Sequence, residues 1–337
     1  MRKVLLSTVI LGTIVMIPVE TQAAVEVKWF GFAQLTAEAR SQDKPKDGLR
    51  FDADRIRIGF KLKEDKIFGK LQIDFMKNTS RGAGKADLPA IIKDAEVGYK
   101  FSNAASLKIG QFKTPLGMDF NNSGKKLDIT KRGMEKGLVL ERAVGVMLSG
   151  RKMNGFGYDI GFFNPSIRSA ADAKGTRGKD NAYVGRLMYD KNGFHIEGAY
   201  GVDQTSAAGK SKYSVWDIAG AYKSGPWTFK AEYISGDNVD GDPTQDEDVW
   251  FVHGGYKFGN KRYEAVLRFY TGDHTTGAVK TDLTNTYIGM NFFMGSKAVN
   301  GRLQVNYVFA GGDTGGVYKG QRGFKDDALL VQYQVSF

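Results

Sequence analysis

The sequence contains no cysteine and only three histidines. Without thiols the chain can form no disulfide and can offer no thiolate to a metal ion or to a nucleophilic mechanism. No arrangement of serine or asparagine accompanies His195, His253 or His274 to form a hydrolytic site. A phosphate-binding loop, a dinucleotide fingerprint and zinc-ligand spacing are also missing. The sequence therefore predicts that the protein is not an enzyme, binds no metal and needs no cofactor.

Long apolar runs are missing as well, except at the N-terminus. The basic residues Arg2 and Lys3 precede an apolar run over residues 4–17 that ends at a proline. This order is typical of a secretory signal peptide, so we expect residues 1–23 to be removed and 24–337 to form the mature domain. A retained anchor is the alternative, but the run is shorter than the ~20 apolar residues of a spanning helix.

The chain has an excess of positive charge, with 48 Lys and Arg against 37 Asp and Glu and a formal net charge of +11. Such an excess usually indicates anionic partners, which include nucleic acid, acidic lipid and small anions. Export argues against nucleic acid. We therefore expect small anions and acidic lipid as partners.

Residues 24–337 consist of about sixteen segments in which apolar and polar residues alternate, which is typical of strands. Short connections with hairpin residues such as Asn192 and Gly193 alternate with longer polar ones. This pattern predicts an all-β transmembrane antiparallel barrel of 16 strands in the outer membrane, with short periplasmic turns and longer extracellular loops. The long connections are predicted near residues 41–50, 79–90, 114–137, 165–180, 204–210, 237–246, 273–281 and 311–323.

The C-terminus ends in an alternating apolar pattern, formed by Leu329, Val331, Tyr333, Val335 and Phe337. It resembles the last strand of bacterial outer-membrane barrels, in which the terminal aromatic residue is the assembly signal. This resemblance predicts that Phe337 engages the barrel-assembly machinery. The alternative is an amphipathic edge strand of a periplasmic sandwich.

The segment 52–63 places four cations, Arg55, Arg57, Lys61 and Lys63, on alternate positions and apolar residues between them. A cation on the lipid side would cost roughly 2 to 4 kcal/mol at mid-bilayer. The cations are therefore predicted to line the lumen, at about 6 to 7 Å spacing given a rise of ~3.3 Å per residue. Such a row lets a dehydrating anion pass from one partner to the next.

The connection 114–137 is the third of the long loops and is rich in cations. In porins the third extracellular loop typically folds inward, so we expect this loop to form the constriction. Together with the cations of segment 52–63, these residues complete the predicted anion pathway: Arg55, Arg57, Lys61, Lys63, Lys113, Lys125, Lys126, Lys131 and Arg132.

The runs IIKDAEVGYKF (91–101), LKIGQFKTPLG (107–117) and LERAVGVMLSG (140–150) resemble the phosphate-selective porin O and P family. The resemblance implies a trimeric barrel of sixteen strands, an arginine ladder that leads inward and basic residues at the constriction. Lys113 lies inside the matched motif, whereas the other pathway residues rest on position and charge alone.

These observations together predict a passive outer-membrane channel with a preference for small anions, phosphate being the anion that the resemblance suggests. A general diffusion porin, in which lumen charges balance locally, is one alternative. The other is a barrel that forms no channel and acts as a scaffold or adhesin, which would have no need of cations facing inward.

Overall fold

The computed structural model describes residues 24–41, 48–76, 91–165, 180–295, 300–312 and 323–337. Sixteen antiparallel strands form one closed barrel, in which each strand pairs with its sequence neighbours and β1 pairs with β16. The predicted fold class is confirmed. The predicted signal peptide, residues 1–23, lies outside the described residues.

The strands run from the N-terminus to the C-terminus of the described chain, with a short helix between β5 and β6. Their bounds are β1 Glu26–Arg40, β2 Arg50–Glu64, β3 Ile67–Asp74, β4 Ile92–Lys100, β5 Ser106–Lys113, α1 Met118–Asn121, β6 Arg142–Met153, β7 Phe156–Phe163, β8 Ala182–Lys191, β9 Phe194–Asp203, β10 Tyr213–Ser224, β11 Trp227–Asp237, β12 Gln245–Phe258, β13 Tyr263–Thr276, β14 Val279–Phe293, β15 Gly301–Gly312 and β16 Ala328–Ser336. Within the described ranges, 3₁₀ helices span Gly124–Lys126, Met134–Gly137 and Val239–Gly241.

Short turns and long connections lie at opposite ends of the barrel, and the start of β1 and the C-terminal Phe337 lie at the turn end. The hairpin at Asn192 and Gly193 has positive φ at both residues, 50° and 84°, which matches the twist of the strands that it joins. The predicted long connection 79–90 lies outside the described residues, and so do residues 42–47, 166–179 and 313–322 of three others.

The predicted long connection at 273–281 is wrong. Strand β13 continues to Thr276 and β14 begins at Val279, so only Gly277 and Ala278 lie between them. The polar residues of this stretch are paired strand residues, with Asp273 opposite Asp282. Polar residues occupy both faces of the hairpin here, so the alternation that marks a strand in the sequence is lost.

Apolar and polar residues alternate along the strands, so that one set faces outward and the other inward, as predicted. On β11, Trp227 and Phe229 are exposed on the outer face, whereas Lys230 and Glu232 are buried on the inner face. The aromatic side chains at the turn end pack against their neighbours, as in the stacked rings of Phe194 and Tyr222. None of the helices in the described ranges is long and apolar enough to cross a bilayer.

The apolar core of the protein lies inside the lumen, because residues 114–141, here called the inner loop, fold into it. Its fully buried side chains include Leu116, Phe120, Ile129, Met134 and Leu138. They belong to one cluster with inward-facing residues of the wall, among them Val184, Val215, Val249, Phe251 and Tyr287. The barrel is therefore stabilised by apolar packing across its interior as well as by its hydrogen-bonded wall.

The inner loop is longer than the sequence predicts. The apolar run Leu138, Val139 and Leu140 was assigned to the following strand, but it is buried in the lumen and β6 begins only at Arg142. An apolar run of this length fits a strand and a buried loop equally well. Burial against the opposite wall, which the sequence does not reveal, decides between them.

The seam between β1 and β16 is covered by the C-terminal side chain. The backbone N–H of Phe337 donates to the carbonyl of Gly31 at 3.1 Å, and its ring lies over the same glycine on the outer face. A Cβ at position 31 would lie 2.5 Å from Cζ of the Phe337 ring. Glycine is therefore required for Phe337 to seal the barrel.

We expect Gly31→Val to weaken closure of the barrel, because the new side chain displaces the Phe337 ring at a cost of about 1 to 3 kcal/mol. The measurement is the temperature at which the folded barrel loses its compact migration in a detergent gel. Gly185→Val is the matched control, since nothing lies within 4 Å of a Cβ at this outer-face glycine. Equal midpoints for the two variants would contradict the role of Gly31.

We expect Gly133→Ala to loosen the inner loop, because a Cβ at this position would overlap the ring of Tyr270 on β13. Overpacking of about 1 to 3 kcal/mol corresponds to roughly ten- to hundredfold faster amide exchange in the loop. Hydrogen–deuterium exchange of peptides from residues 118–140 measures this. Gly254→Ala, whose Cβ meets nothing within 4 Å, is the control. Unchanged exchange in Gly133→Ala would show that the contact with Tyr270 does not hold the loop.

Candidate functional site

The inner loop is attached to one side of the lumen, along the strands from β10 to β16 and on to β1. Wall side chains bond to loop backbone groups, and these groups would otherwise be buried without partners. The bonds run from Gln34 to the carbonyl of Gly124 at 3.1 Å, from Arg302 to that of Leu127 at 2.8 Å, from Asn291 to that of Asp128 at 3.0 Å and from Gln334 to that of Lys125 at 3.2 Å.

Buried ion pairs strengthen this attachment. Arg268 of β13 contacts Asp119 at 3.0 Å and Asp128 at 3.4 Å, and Lys230 of β11 contacts the same two carboxylates. Although burial disfavours the charged form, Arg268 and Lys230 hold the pKa of the Asp119 carboxyl well below its usual range. Loop and wall are thus joined by a network whose charges compensate one another.

A cavity of about 760 Å³ remains between the inner loop and the wall formed by β1 to β6, with Arg186 of β8 also lining it, and it lies toward the turn end. Eleven of its lining residues are Lys or Arg, whereas only two, Asp94 and Glu96, are acids. The inner loop therefore covers one wall of the lumen and leaves a strongly basic wall uncovered.

The acids of the basic wall are shared between cations. Asp94 lies 2.5 Å from Nζ of Lys70 and 2.9 Å from Nε of Arg142. Asp159 lies in the same way between Arg151 and Arg186, at 2.7 and 2.6 Å. The Asp94 group carries one net positive charge, whereas the charge of the Asp159 group is compensated by Glu197, which lies 3.4 Å from Arg186. Pairing with acids therefore fixes the positions of these cations, and Asp94 does so without cancelling the charge of its two partners.

Five of the nine predicted pathway residues line the cavity: Arg57, Lys61, Lys113, Lys125 and Lys126. Arg57 is held by Asp74 at 2.9 Å. Lys113 donates to the carbonyls of Phe120 and Asn122, so its ammonium group closes the C-terminal end of α1. Lys61 and Lys126 are exposed, and neither forms an ion pair with another residue in the described ranges.

The other four predicted residues do not line this cavity. Arg55 donates to Gln34 at 2.6 Å and lies against the backbone of Gly124. Lys63 is exposed close to the turn end. Lys131 pairs with Glu38 of β1, and Arg132 donates to the carbonyls of Asp119 and Asn122. Lys131 and Arg132 thus fasten the inner loop.

Six further cations line the cavity and were absent from the predicted set: Lys28, Lys70, Lys108, Arg142, Arg151 and Arg186. The alternation of their strands could have placed most of them on the inner face, as it did for Lys70. What the sequence does not show is that β1 to β6, together with Arg186 of β8, form the uncovered wall. That depends on which strands the inner loop contacts.

The histidines form no hydrolytic site in the described part of the chain. His195 bridges Asp190 and Glu197, at 2.7 and 2.8 Å, within the charged network of the wall. Across the described ranges, no three His, Asp or Glu side chains are grouped so that they could hold a metal ion.

Comparisons with known proteins agree with this architecture. The barrel is similar to two forms of OmpT, an outer membrane protein of Vibrio cholerae. The TM-score is 0.68 for a loop-deletion mutant and 0.64 for a trimer form. Each match has 14% identity and covers 93% of this chain and 100% of the OmpT chain. It is also similar to the outer membrane channel DcaP of Acinetobacter baumannii, with a TM-score of 0.67, 14% identity and coverage of 94% and 98%. A further similar structure is the anion-selective porin from Comamonas acidovorans, with a TM-score of 0.66, 14% identity and coverage of 93% of this chain and 100% of that chain.

These identities are low, so the solved structures show a common fold alone. A search of the curated proteins found no significant match. The sequence matches the Gram-negative porin family over residues 13–314. Because this match spans most of the chain, the protein belongs to the Gram-negative porin family and resides in the outer membrane.

Proposed function

We propose that the protein is a passive outer-membrane channel, not an enzyme, and that it prefers small anions. The observation that carries this proposal is the cavity beside the inner loop, in which eleven cations face two acids. A basic wall raises the local concentration of anions and lowers that of cations. Flux then follows the concentration gradient and requires neither a cofactor nor an energy source.

The cations of the wall have two roles in this proposal. Arg57 and Arg142 are fixed by carboxylates and supply a permanent field. Lys61 and Lys126 are exposed and can meet a passing anion directly. A set of weak contacts of this kind lets an anion enter and also lets it leave. We assign the pathway to Arg57, Lys61, Lys113, Lys125 and Lys126, with Lys131 and Arg132 acting through the position of the inner loop.

Phosphate is among the anions that we propose the channel admits. Arg57 and Arg142 both bond to their carboxylates through Nε. Their terminal nitrogens can therefore turn toward an oxyanion, and the fork of a guanidinium group suits phosphate oxygens. If phosphate is held there, it should reduce chloride current at millimolar concentration. If it only passes through, phosphate and chloride currents should scale with mobility.

The selectivity is tested by the reversal potential across a planar bilayer under a KCl gradient. The wild type should give a potential directed by chloride. A unit charge about 10 Å from an ion in water changes its energy by about 0.4 kcal/mol, or its local concentration by about twofold. The double variant Lys61→Gln and Lys126→Gln should therefore lower the chloride-to-potassium permeability ratio by roughly twofold or more.

The matched control also removes two positive charges, but at positions outside the cavity. Lys191 and Lys261 are exposed at the turn end and do not line it, so their double replacement by Gln should leave the ratio unchanged. A potential directed by potassium in the wild type would overturn the proposed anion preference and leave a general diffusion porin. Absence of any conductance would favour a scaffold instead.

We also propose that three copies assemble, with the wall of β3 to β5 at the contact. These strands have eight or nine residues, whereas β12 to β14 have fourteen or fifteen. A strand that crosses a bilayer needs about 9 to 11 residues. Cover by a neighbouring copy relieves the short strands of spanning lipid. The longer strands would then face lipid and lipopolysaccharide, and Phe337 would serve the barrel-assembly machinery.

If the trimer forms, Ile109→Cys on β5 should be protected from a lipid-soluble maleimide, although Ile109 is 58% exposed in one copy. Leu187→Cys on β8, where leucine is 71% exposed, is the control and should react fully. The mass of the wild type in detergent, measured by light scattering, should be three times that of one chain. A monomer with equal labelling at both positions would contradict the proposal.

A further inference from the structure

Glu135 lies in the inner loop in an environment that is unusual for a carboxylate. Its side chain is fully buried, and neither of its Oε atoms has a hydrogen-bond partner. Burying an ionised carboxylate without a partner costs several kcal/mol, so such a group takes up a proton instead. The native loop therefore favours the protonated form of Glu135.

The groups around Glu135 come from the inner loop, with its helix α1, and from three strands of the wall. Arg132 precedes it in the loop, Asp119 lies on α1, and β13 and β14 contribute the residues Arg268, Tyr270 and Tyr287. From β11, Glu232 lies within electrostatic range and is also buried. One oxygen of Glu232 accepts the backbone N–H of Asp119 at 2.9 Å, whereas the other has no partner.

The nearby cations do not neutralise Glu135, because they are bonded elsewhere. Arg268 bonds to Asp119, Asp128 and the hydroxyl of Tyr270. Arg132 bonds to the carbonyls of Asp119 and Asn122. Burial, reinforced by repulsion from Asp119, raises the pKa of Glu135 from 4.5 to about 7.

We propose that Glu135 is a proton-dependent latch of the inner loop, which holds the loop against the wall when protonated and loosens it when ionised. When the loop leaves the wall, Glu135 enters water and ionises readily. When the loop returns, the carboxylate must either take up a proton or remain charged next to Asp119. Acid therefore favours the docked loop.

The pH range follows from the two states of the loop. Below about pH 4.5 both states are protonated and docking is strongest. Between about 4.5 and 7 the undocked state is ionised and the docked state is not, so docking weakens as pH rises. Above about 7 both states are ionised, and docking weakens no further. The open population should increase roughly hundredfold over this range, while the docked state still predominates.

The test uses the absence of native cysteine. Ile129→Cys places a thiol at a fully buried position of the inner loop, which a reagent can reach only when the loop opens. Labelling rates are measured between pH 5 and 8, with and without Glu135→Gln. The labelling rate with Glu135 intact is divided by the rate in Glu135→Gln, so that the ionisation of the thiol itself cancels. Because glutamine stays neutral, this ratio should rise with pH and level off above about 7.

Glu141→Gln is the matched control, since Glu141 belongs to the same loop but is exposed and pairs with Lys136 at 2.9 Å. The labelling rate of Ile129→Cys should depend on pH in the same way with and without Glu141→Gln. A ratio that stays constant with pH for Glu135→Gln would overturn the latch. So would a control that loses the dependence equally.

A second measurement applies if Ile129→Cys does not fold. Hydrogen–deuterium exchange of residues 127–138 in the parent chain and in Glu135→Gln should differ progressively more from pH 5 to 7. Equal exchange at all pH values would contradict the latch. Neither readout requires current through the channel, so a failed latch and a failed channel proposal can be told apart.

Discussion

The attachment of the inner loop to one side of the lumen is the interaction on which the rest of the structure depends. Arg268 and Lys230 bind Asp119 and Asp128 at the loop, and these four charges are compensated only when loop and wall are together. Breaking such a buried group by removing one member leaves an unpaired charge in a place without water, which typically costs 3 to 5 kcal/mol. The docked position of the loop in the barrel interior is therefore its stable state.

This attachment separates the charges of the lumen. The covered side holds apolar residues and compensated ion pairs, whereas the uncovered side keeps cations in excess even after its acids are counted. Asp94 is shared by Lys70 and Arg142, so the acid that positions these two cations leaves a net positive charge on the basic wall. A barrel with the same composition but an outward-lying loop would have no such division. The anion preference proposed above would then follow from where the loop rests.

Much of the barrel could be predicted from the sequence, because alternation reports which side of a wall each residue faces. Arg57 and Lys61 were assigned to the lumen for this reason alone, and both line the cavity. The same principle fails at Val249 and Phe251, which face inward but are apolar. Only contact with the inner loop explains them, and contacts between residues so distant in the chain leave no local pattern.

The sequence predicts the type of residue that forms the candidate site, but not which residues these are. Charge and position indicated cations near the inner loop, yet they could not separate Lys126, which faces the cavity, from Lys131, which pairs with Glu38. Both belong to the same basic stretch of the loop. Likewise, the role of Arg142 depends on Asp94, which is 48 residues away in the sequence. Site membership is set by the path of the loop across the barrel.

The most direct test of the account asks which wall lines the conducting path. Single cysteines are placed at Lys61 on the uncovered wall and at Val249 on the covered wall, and a charged methanethiosulfonate is added while single-channel current is recorded. The current should change for Lys61→Cys and stay constant for Val249→Cys, since Val249 is fully buried beneath the loop. A change of current at Val249→Cys without one at Lys61→Cys would contradict this expectation.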